Sequence, residues 1–255
     1  MTYNGLFSAA FCLIAQAGDE EAAYFLSGAE YTRFAWGPGG TREGGHAEGG
    51  GRTSALLPSI PHLWRCGLDA VCVFGRDATY FFQWNKYLVY SPEDDETAAP
   101  GRVSDITPFT RIDAAITCTS GATSRKLAYF FSGDRVYAFD PARPGEGEDA
   151  SIAEALPWLP RYFRRGIDCA VTTADGATAY LFRGRYFIQL SSRSLTDQED
   201  IAGVGDVLPL NPTTWPGLHH VDPARRWSTG DEGAQVAPAP TPASEQTAVV
   251  RGGLG

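Results

Sequence analysis

Four stretches of this chain open alike and continue alike, and that internal repetition restricts the fold more than any other feature. Three openings read Gly67-Leu-Asp-Ala-Val71, Arg111-Ile-Asp-Ala-Ala115 and Gly166-Ile-Asp-Cys-Ala170; a fourth, Leu6-Phe-Ser-Ala-Ala10, carries Ser8 where the others carry aspartate. An aromatic run follows each: Ala23-Tyr-Phe-Leu-Ser-Gly28, Thr79-Tyr-Phe-Phe-Gln-Trp84, Ala128-Tyr-Phe-Phe-Ser-Gly133 and Ala179-Tyr-Leu-Phe-Arg-Gly184. A third run comes next: Tyr31-Thr-Arg-Phe34, Tyr87-Leu-Val-Tyr90, Val136-Tyr-Ala-Phe139 and Tyr186-Phe-Ile-Gln-Leu190. Alternating aromatics suit a pleated surface with one face buried. Ser27-Gly28, Gly133-Asp134 and Gly184-Arg185 supply hairpin turns between the runs. The openings stand roughly 45 to 60 residues apart, the size of a propeller blade with three or four strands.

The expected architecture is therefore all-β: a four-bladed β-propeller with short helices between blades. It is placed at residues 1–227, with blades at about 5–64, 65–110, 111–165 and 166–217. Ser151 and Glu154 have capping-box spacing and predict one of the short helices, which Pro157 and Pro160 limit. The glycine-rich stretch from Gly37 to Gly51 lacks the Lys-Ser/Thr of a phosphate loop and reads as a surface loop. Residues 228–255, rich in Ala, Pro, Thr, Gly and Gln without hydrophobic period, read as a disordered tail.

Charge and cysteine use narrow the partners. Lys and Arg number 21 against 30 Asp and Glu, a net charge of −9, which argues against nucleic acid and anionic membranes and for cationic partners. Five cysteines cannot all pair within one chain, and a reducing cytoplasm suits them. The apolar stretch Gly5 to Gly18 resembles an export signal, but Met1-Thr-Tyr-Asn4 lacks the positive side chain that such a signal carries. It reads better as the first strand of the first repeat.

Ile112-Asp-Ala-Ala115, then Tyr129-Phe-Phe-Ser-Gly-Asp134, then Val136-Tyr-Ala-Phe-Asp140 resembles a hemopexin repeat, and the resemblance covers about residues 5 to 217. It implies the four-bladed hemopexin-like propeller and a central channel. On that channel the main-chain carbonyls of Ser8, Asp69, Asp113 and Asp168 would hold calcium or sodium. The amides of Ala10, Val71, Ala115 and Ala170 would line a second layer suited to chloride. Animal members of the family clasp the first and last blades with a disulfide, whereas no cysteine here lies beyond Cys169. Cys12, Cys66, Cys72, Cys118 and Cys169 read as small buried hydrophobes. Haem-carrying relatives use two propellers and intervening histidines; this chain has His46, His62, His219 and His220, and adjacent histidines on an extended chain point apart.

No His-Glu-x-x-His, Gly-x-Ser-x-Gly, Walker loop or Cys-x-x-Cys is present. The acidic sets at 93–96, 146–149 and 197–200 read as solvated loops, with gathering of a polyamine or metal as the functional alternative. Arg161, Arg164, Arg165, Arg183 and Arg185 read as local neutralisation of those acids, with receipt of a carboxylate as the functional alternative, while Trp64, Trp84, Trp158 and Trp215 are expected to pack blade edges. The reading favoured is a non-catalytic binding protein with a channel metal ion, taking a polyamine, thiamine or haem-like ligand at the propeller mouth, as plant seed albumins of this family would suggest. The alternatives are a cofactor-free cyclase or isomerase that works by shape, and an adhesion or scaffolding module. A homodimer is compatible with each.

Overall fold

The computed structural model describes residues 7–13, 22–38, 42–75, 77–119, 126–173, 175–196 and 204–218. Four antiparallel sheets follow one another in chain order. The first holds β1 (Ala9–Leu13), β2 (Ala22–Ser27), β3 (Glu30–Ala35) and β4 (His46–Arg52). The second holds β5 (Ala70–Val73), β6 (Thr79–Gln83) and β7 (Lys86–Ser91), with the short β8 (Glu96–Thr97) and β9 (Gly101–Arg102) both paired to β7. The third holds β10 (Ala114–Thr119), β11 (Lys126–Ser132), β12 (Arg135–Phe139) and β13 (Glu148–Ser151). The fourth holds β14 (Cys169–Thr172), β15 (Thr178–Arg183), β16 (Tyr186–Ser191) and β17 (Val207–Pro209). Strand β1 neighbours β5 and β14, and β10 neighbours the same two, so the first strands of the four sheets surround one axis. This is a four-bladed propeller. Single-turn helices α1 (Thr53–Leu56), α2 (Ile152–Ala155) and α3 (Arg193–Thr196) accompany blades 1, 3 and 4, and the Ser151–Glu154 capping box starts α2.

The hydrophobic core lies between blades, in four clusters, one per interface. Each second strand therefore buries both faces, not one as alternation alone predicts. Phe81 packs toward blade 1 while Phe82 packs toward blade 3, and Phe130 and Phe131 divide in the same way between blades 2 and 4. Adjacent Phe-Phe or Leu-Phe pairs are what a strand sandwiched between two neighbours requires, because consecutive side chains point to opposite sides.

The ring closes without a covalent bond. Trp215, fully buried, is surrounded by Phe25, Phe34 and Trp36 of blade 1 and Tyr180, Phe182 and Phe187 of blade 4. The Ala47 amide donates to Pro216 O at 2.9 Å, and the Arg42 guanidinium donates to Thr214 O at 2.6 Å. Residues 211–218 thus follow the last strand of blade 4 and fasten onto blade 1, in the place where a disulfide would act.

Three sequence expectations are corrected. The glycine-rich stretch is not simply a loop: its second half is β4, paired along β3 with a bulge between Arg33 and Phe34. Glycine is a poor strand former, but a Cβ at Gly50 would collide with Tyr31 O, so the close approach needs its absence. Trp84 does not pack a blade edge; it is 69% exposed at the β6–β7 turn. Cys66 is exposed, whereas Cys12, Cys72, Cys118 and Cys169 are buried as expected, and none of the five is in a disulfide.

Candidate functional site

Ser8, Asp69, Asp113 and Asp168 each stand one residue before an inner strand, at what we term the upper rim. Their amides donate to the second strand of the same blade: to Leu26 O (2.9 Å), Phe82 O (2.8 Å), Phe131 O (2.8 Å) and Phe182 O (2.9 Å). The three carboxylates have a role that sequence reasoning missed. Asp69 accepts from the Trp84 amide at 2.5 Å, Asp113 from Gly133 at 2.8 Å and Asp168 from Gly184 at 2.6 Å. Each aspartate therefore staples the hairpin turn of its own blade through a charge-assisted bond. The available signal was the repeated pairing of an opening aspartate with a turn after the next strand. These turns have positive φ at their first position: Gly28 (67°), Trp84 (55°), Gly133 (57°) and Gly184 (56°). Glycine adopts this freely, whereas a bulky residue there is strained.

With their carboxylates engaged in the turns, the aspartates offer their main-chain carbonyls. Among the described residues no donor reaches the carbonyl of Asp69, Asp113 or Asp168. Nor do three or more His, Cys, Asp or Glu side chains gather there as a metal site. A hard cation would rest on main-chain oxygens, which suit calcium and sodium. One positive charge is already present: Arg111 reaches Asp69 Oδ1 at 2.9 Å and Asp113 Oδ1 at 3.3 Å. Burial pushes the Asp69 carboxyl above its ordinary value, against the opposing pull of the Trp84 amide and Arg111.

Further down the axis, Ala10, Val71, Ala115 and Ala170 all line one cavity of about 230 Å³, so the four residues of the expected second layer do converge. Cys12, Cys72 and Cys118 also face it, as do Lys126 and Asp175 toward the lower rim. Burial drives the Cys72 thiol well above its ordinary value, the neighbouring Cys118 adding to the effect, and Cys169 is raised by burial as well. These thiols stay protonated, which removes nucleophilic character from them.

Strand direction sorts the charged loops. The chain reaches the lower rim at the end of each third strand, so Glu93–Asp95 and Asp140–Glu146 lie at that end with Asp77 and Asp175. Arg143 offsets part of this charge through Asp140 (3.5 Å) and Glu146 (3.9 Å). Glu148 and Asp149 belong to β13, where Asp149 pairs with Arg135 at 2.6 Å. His46 is exposed, 3.7 Å from Glu48, and His62 is exposed in a short 3-10 helix, so neither faces the axis. The acidic set at 197–200, His219, His220 and the tail at 228–255 lie outside the described residues.

Comparison with known proteins agrees with this architecture. No family model matches the chain. Human hemopexin is 30% identical over 103 residues, which is 38% of this chain and 22% of that protein's length. Among solved structures, the hemopexin fold protein CP4 from cow pea superposes with a TM-score of 0.66 at 21% identity, covering 86% of this chain and 99% of that one. A plant lectin with two metal binding sites from Cicer arietinum gives 0.66 at 23% identity, covering 85% and 98%. A plant albumin from the same species, showing hemagglutination, gives 0.65 at 21%, covering 85% and 98%.

Proposed function

We propose that this hemopexin-fold propeller is a non-catalytic binding protein. It holds calcium or sodium at the upper rim through the carbonyls of Ser8, Asp69, Asp113 and Asp168, and receives a linear polyamine at the lower mouth. The observation that carries the reading is the ring of inner-strand openings in which three carbonyls have no donor among the described residues. The two metal binding sites of the Cicer arietinum lectin support it on the same fold. The amides of Ala10, Val71, Ala115 and Ala170, one layer below, would favour chloride.

The choice of ligand follows from size and charge. A cavity of about 230 Å³ is smaller than the roughly 300–1,000 Å³ of pockets that enclose drug-sized ligands, which disfavours a planar porphyrin and admits a slender chain. The carboxylates at the lower rim supply opposing charge for a polycation. Calorimetry on the whole protein tests both parts. Calcium should give saturable heat, and its chelation should lower the melting temperature. Spermine should bind with an affinity that falls as salt rises. Silence with both calcium and sodium would remove the axial ion, and silence with spermine would remove the polyamine.

A further inference from the structure

The propeller carries an internal control that separates scaffold from surplus. Residues 57–69 lead from blade 1 into blade 2, and residues 156–168 lead from blade 3 into blade 4 along the same course. Leu57, Ile60 and Trp64 are buried as Leu156, Leu159 and Phe163 are. Arg65 Nε donates to Ile60 O at 2.5 Å and its Nη2 to Pro58 O at 2.6 Å; Arg164 makes the same pair of bonds, to Leu159 O at 2.5 Å and to Pro157 O. That two-carbonyl clamp is structural. The other positions are not held in common: Arg161, Tyr162 and Arg165 stand where His62, Leu63 and Cys66 stand, and Arg185 and Tyr186 where Asn85 and Lys86 stand. The fold is built at one corner without these groups, so the second corner does not need them.

These surplus groups form one surface. Arg161, Arg165 and Arg185 are exposed, and among the described residues none of them has an ion-pair partner. Among the described acids, then, none is paired with these three arginines. Arg161, Tyr162 and Arg165 line a cleft of about 610 Å³ with Ala153 and Arg164. The turn carrying Arg185 packs so closely that a Cβ on Gly184 would lie 2.7 Å from the Tyr162 hydroxyl. Tyr162 is 44% exposed yet fixed in place: the Arg183 guanidinium lies 5.1 Å from its ring centroid and donates to Gly166 O at 2.6 Å, and Tyr186 meets it edge-on at 5.7 Å. A ring already held in place costs little further ordering when a ligand packs on it.

From this geometry we infer a second binding site, independent of the axis, for a phosphate monoester carried on an aromatic ring. Guanidinium forks match phosphate oxygens in bidentate fashion, and the Arg161 and Arg165 forks, both on the cleft and without an ion pair among the described residues, suit a dianion. Tyr162 and Tyr186 supply the wall for the ring, at ordinary aromatic packing distances. The ester has two sources, a free small molecule or a phosphotyrosine side chain of a protein.

The test titrates the whole protein with phenyl phosphate, inorganic phosphate and phenol at constant salt. Phenyl phosphate should bind saturably, inorganic phosphate several-fold more weakly, and phenol not at all. Arg161→Gln with Arg165→Gln should weaken phenyl phosphate by about tenfold or more, from the loss of charged hydrogen bonds, with the urea midpoint unchanged. Tyr162→Leu, which copies the other corner, should abolish the preference for phenyl phosphate over inorganic phosphate. Absence of saturation, or an affinity unaltered in the double arginine variant, overturns the site. Equal affinity for the two phosphates in the unaltered protein overturns its aromatic part. A phosphotyrosyl peptide that binds about tenfold tighter than phenyl phosphate assigns the protein source, and equal affinity assigns the free ester. Spermine binding at the lower mouth stands or falls separately.

Discussion

Trp215→Ala should open the joint between the first blade and the last. Trp215 has no exposed surface, and its ring lies between 4.8 and 6.0 Å, centroid to centroid, from six aromatic rings on two blades. Such a substitution ordinarily costs about 3–5 kcal/mol, the larger values arising where surrounding groups cannot close over the void. Rigid rings fixed on two separate sheets have little freedom to do so. One contribution has the opposite sign: the Trp215 indole N–H is buried with no partner among the described residues, and deleting it relieves about 1 kcal/mol or more. The net expectation is a loss of about 3 kcal/mol, or about 6–12 °C in melting temperature for a domain of this size. Trp215→Phe keeps an aromatic ring and also deletes the orphan N–H, so it should lose about 1 kcal/mol or less. Urea unfolding followed by circular dichroism measures these differences, with Trp84→Ala as an exposed control. Hydrogen exchange should show protection lost first in blades 1 and 4. A Trp215→Ala protein within about 1 kcal/mol of the parent, or no more affected than the exposed control, would refute the claim that this residue replaces a covalent clasp.

Trp84→Gly should stabilise the protein by about 1 kcal/mol: relief of a strained positive φ is worth roughly 1–3 kcal/mol, and the added chain entropy takes back less. An unchanged or lower urea midpoint would contradict this. Asp168→Ala removes the acceptor for the Gly184 amide and should lower stability by about 1–2 kcal/mol, measured in the same assay. Arg111→Gln removes the cation beside Asp69 and Asp113, so calcium should bind about three- to tenfold more tightly by calorimetry; weaker binding would show that Arg111 does not compete with the ion. Stability should fall as pH rises above about 10, because burial raises the hydroxyls of Tyr31, Tyr80 and Tyr180, and that of Tyr90 to about 12. The unfolded chain ionises these groups first, so protons are lost on unfolding and alkali favours the unfolded state. A urea midpoint that does not change between pH 9 and 11 would contradict it.

The repeats were legible because they are written in strong local signals. The openings around Asp69, Asp113 and Asp168 recur almost unaltered, and the Phe-rich second strands carry the aromatics that a buried strand needs. Those features were sufficient for the number of blades and for the residues that ring the axis. The outer strands were not legible, because an edge strand is specified by what lies against it. Gly50 and Gly101 look like loop residues, and only packing shows that Tyr31 O and the Tyr87 ring occupy the space a side chain would take. Trp84 presents the converse case: its identity suggests a core residue, and its position at a turn decides otherwise. The aspartate carboxylates were assigned no function because their partners, Trp84, Gly133 and Gly184, stand 15 to 20 residues away and meet them only when two strands pair. Likewise Trp215 is one aromatic among many until the ring closes and brings two blades around it. Local periodicity is carried by neighbours along the chain, so sequence conveyed the blades; closure, strain and the surplus arginines at one corner depend on contacts across more than 100 residues or between repeats, and only the tertiary structure decided those.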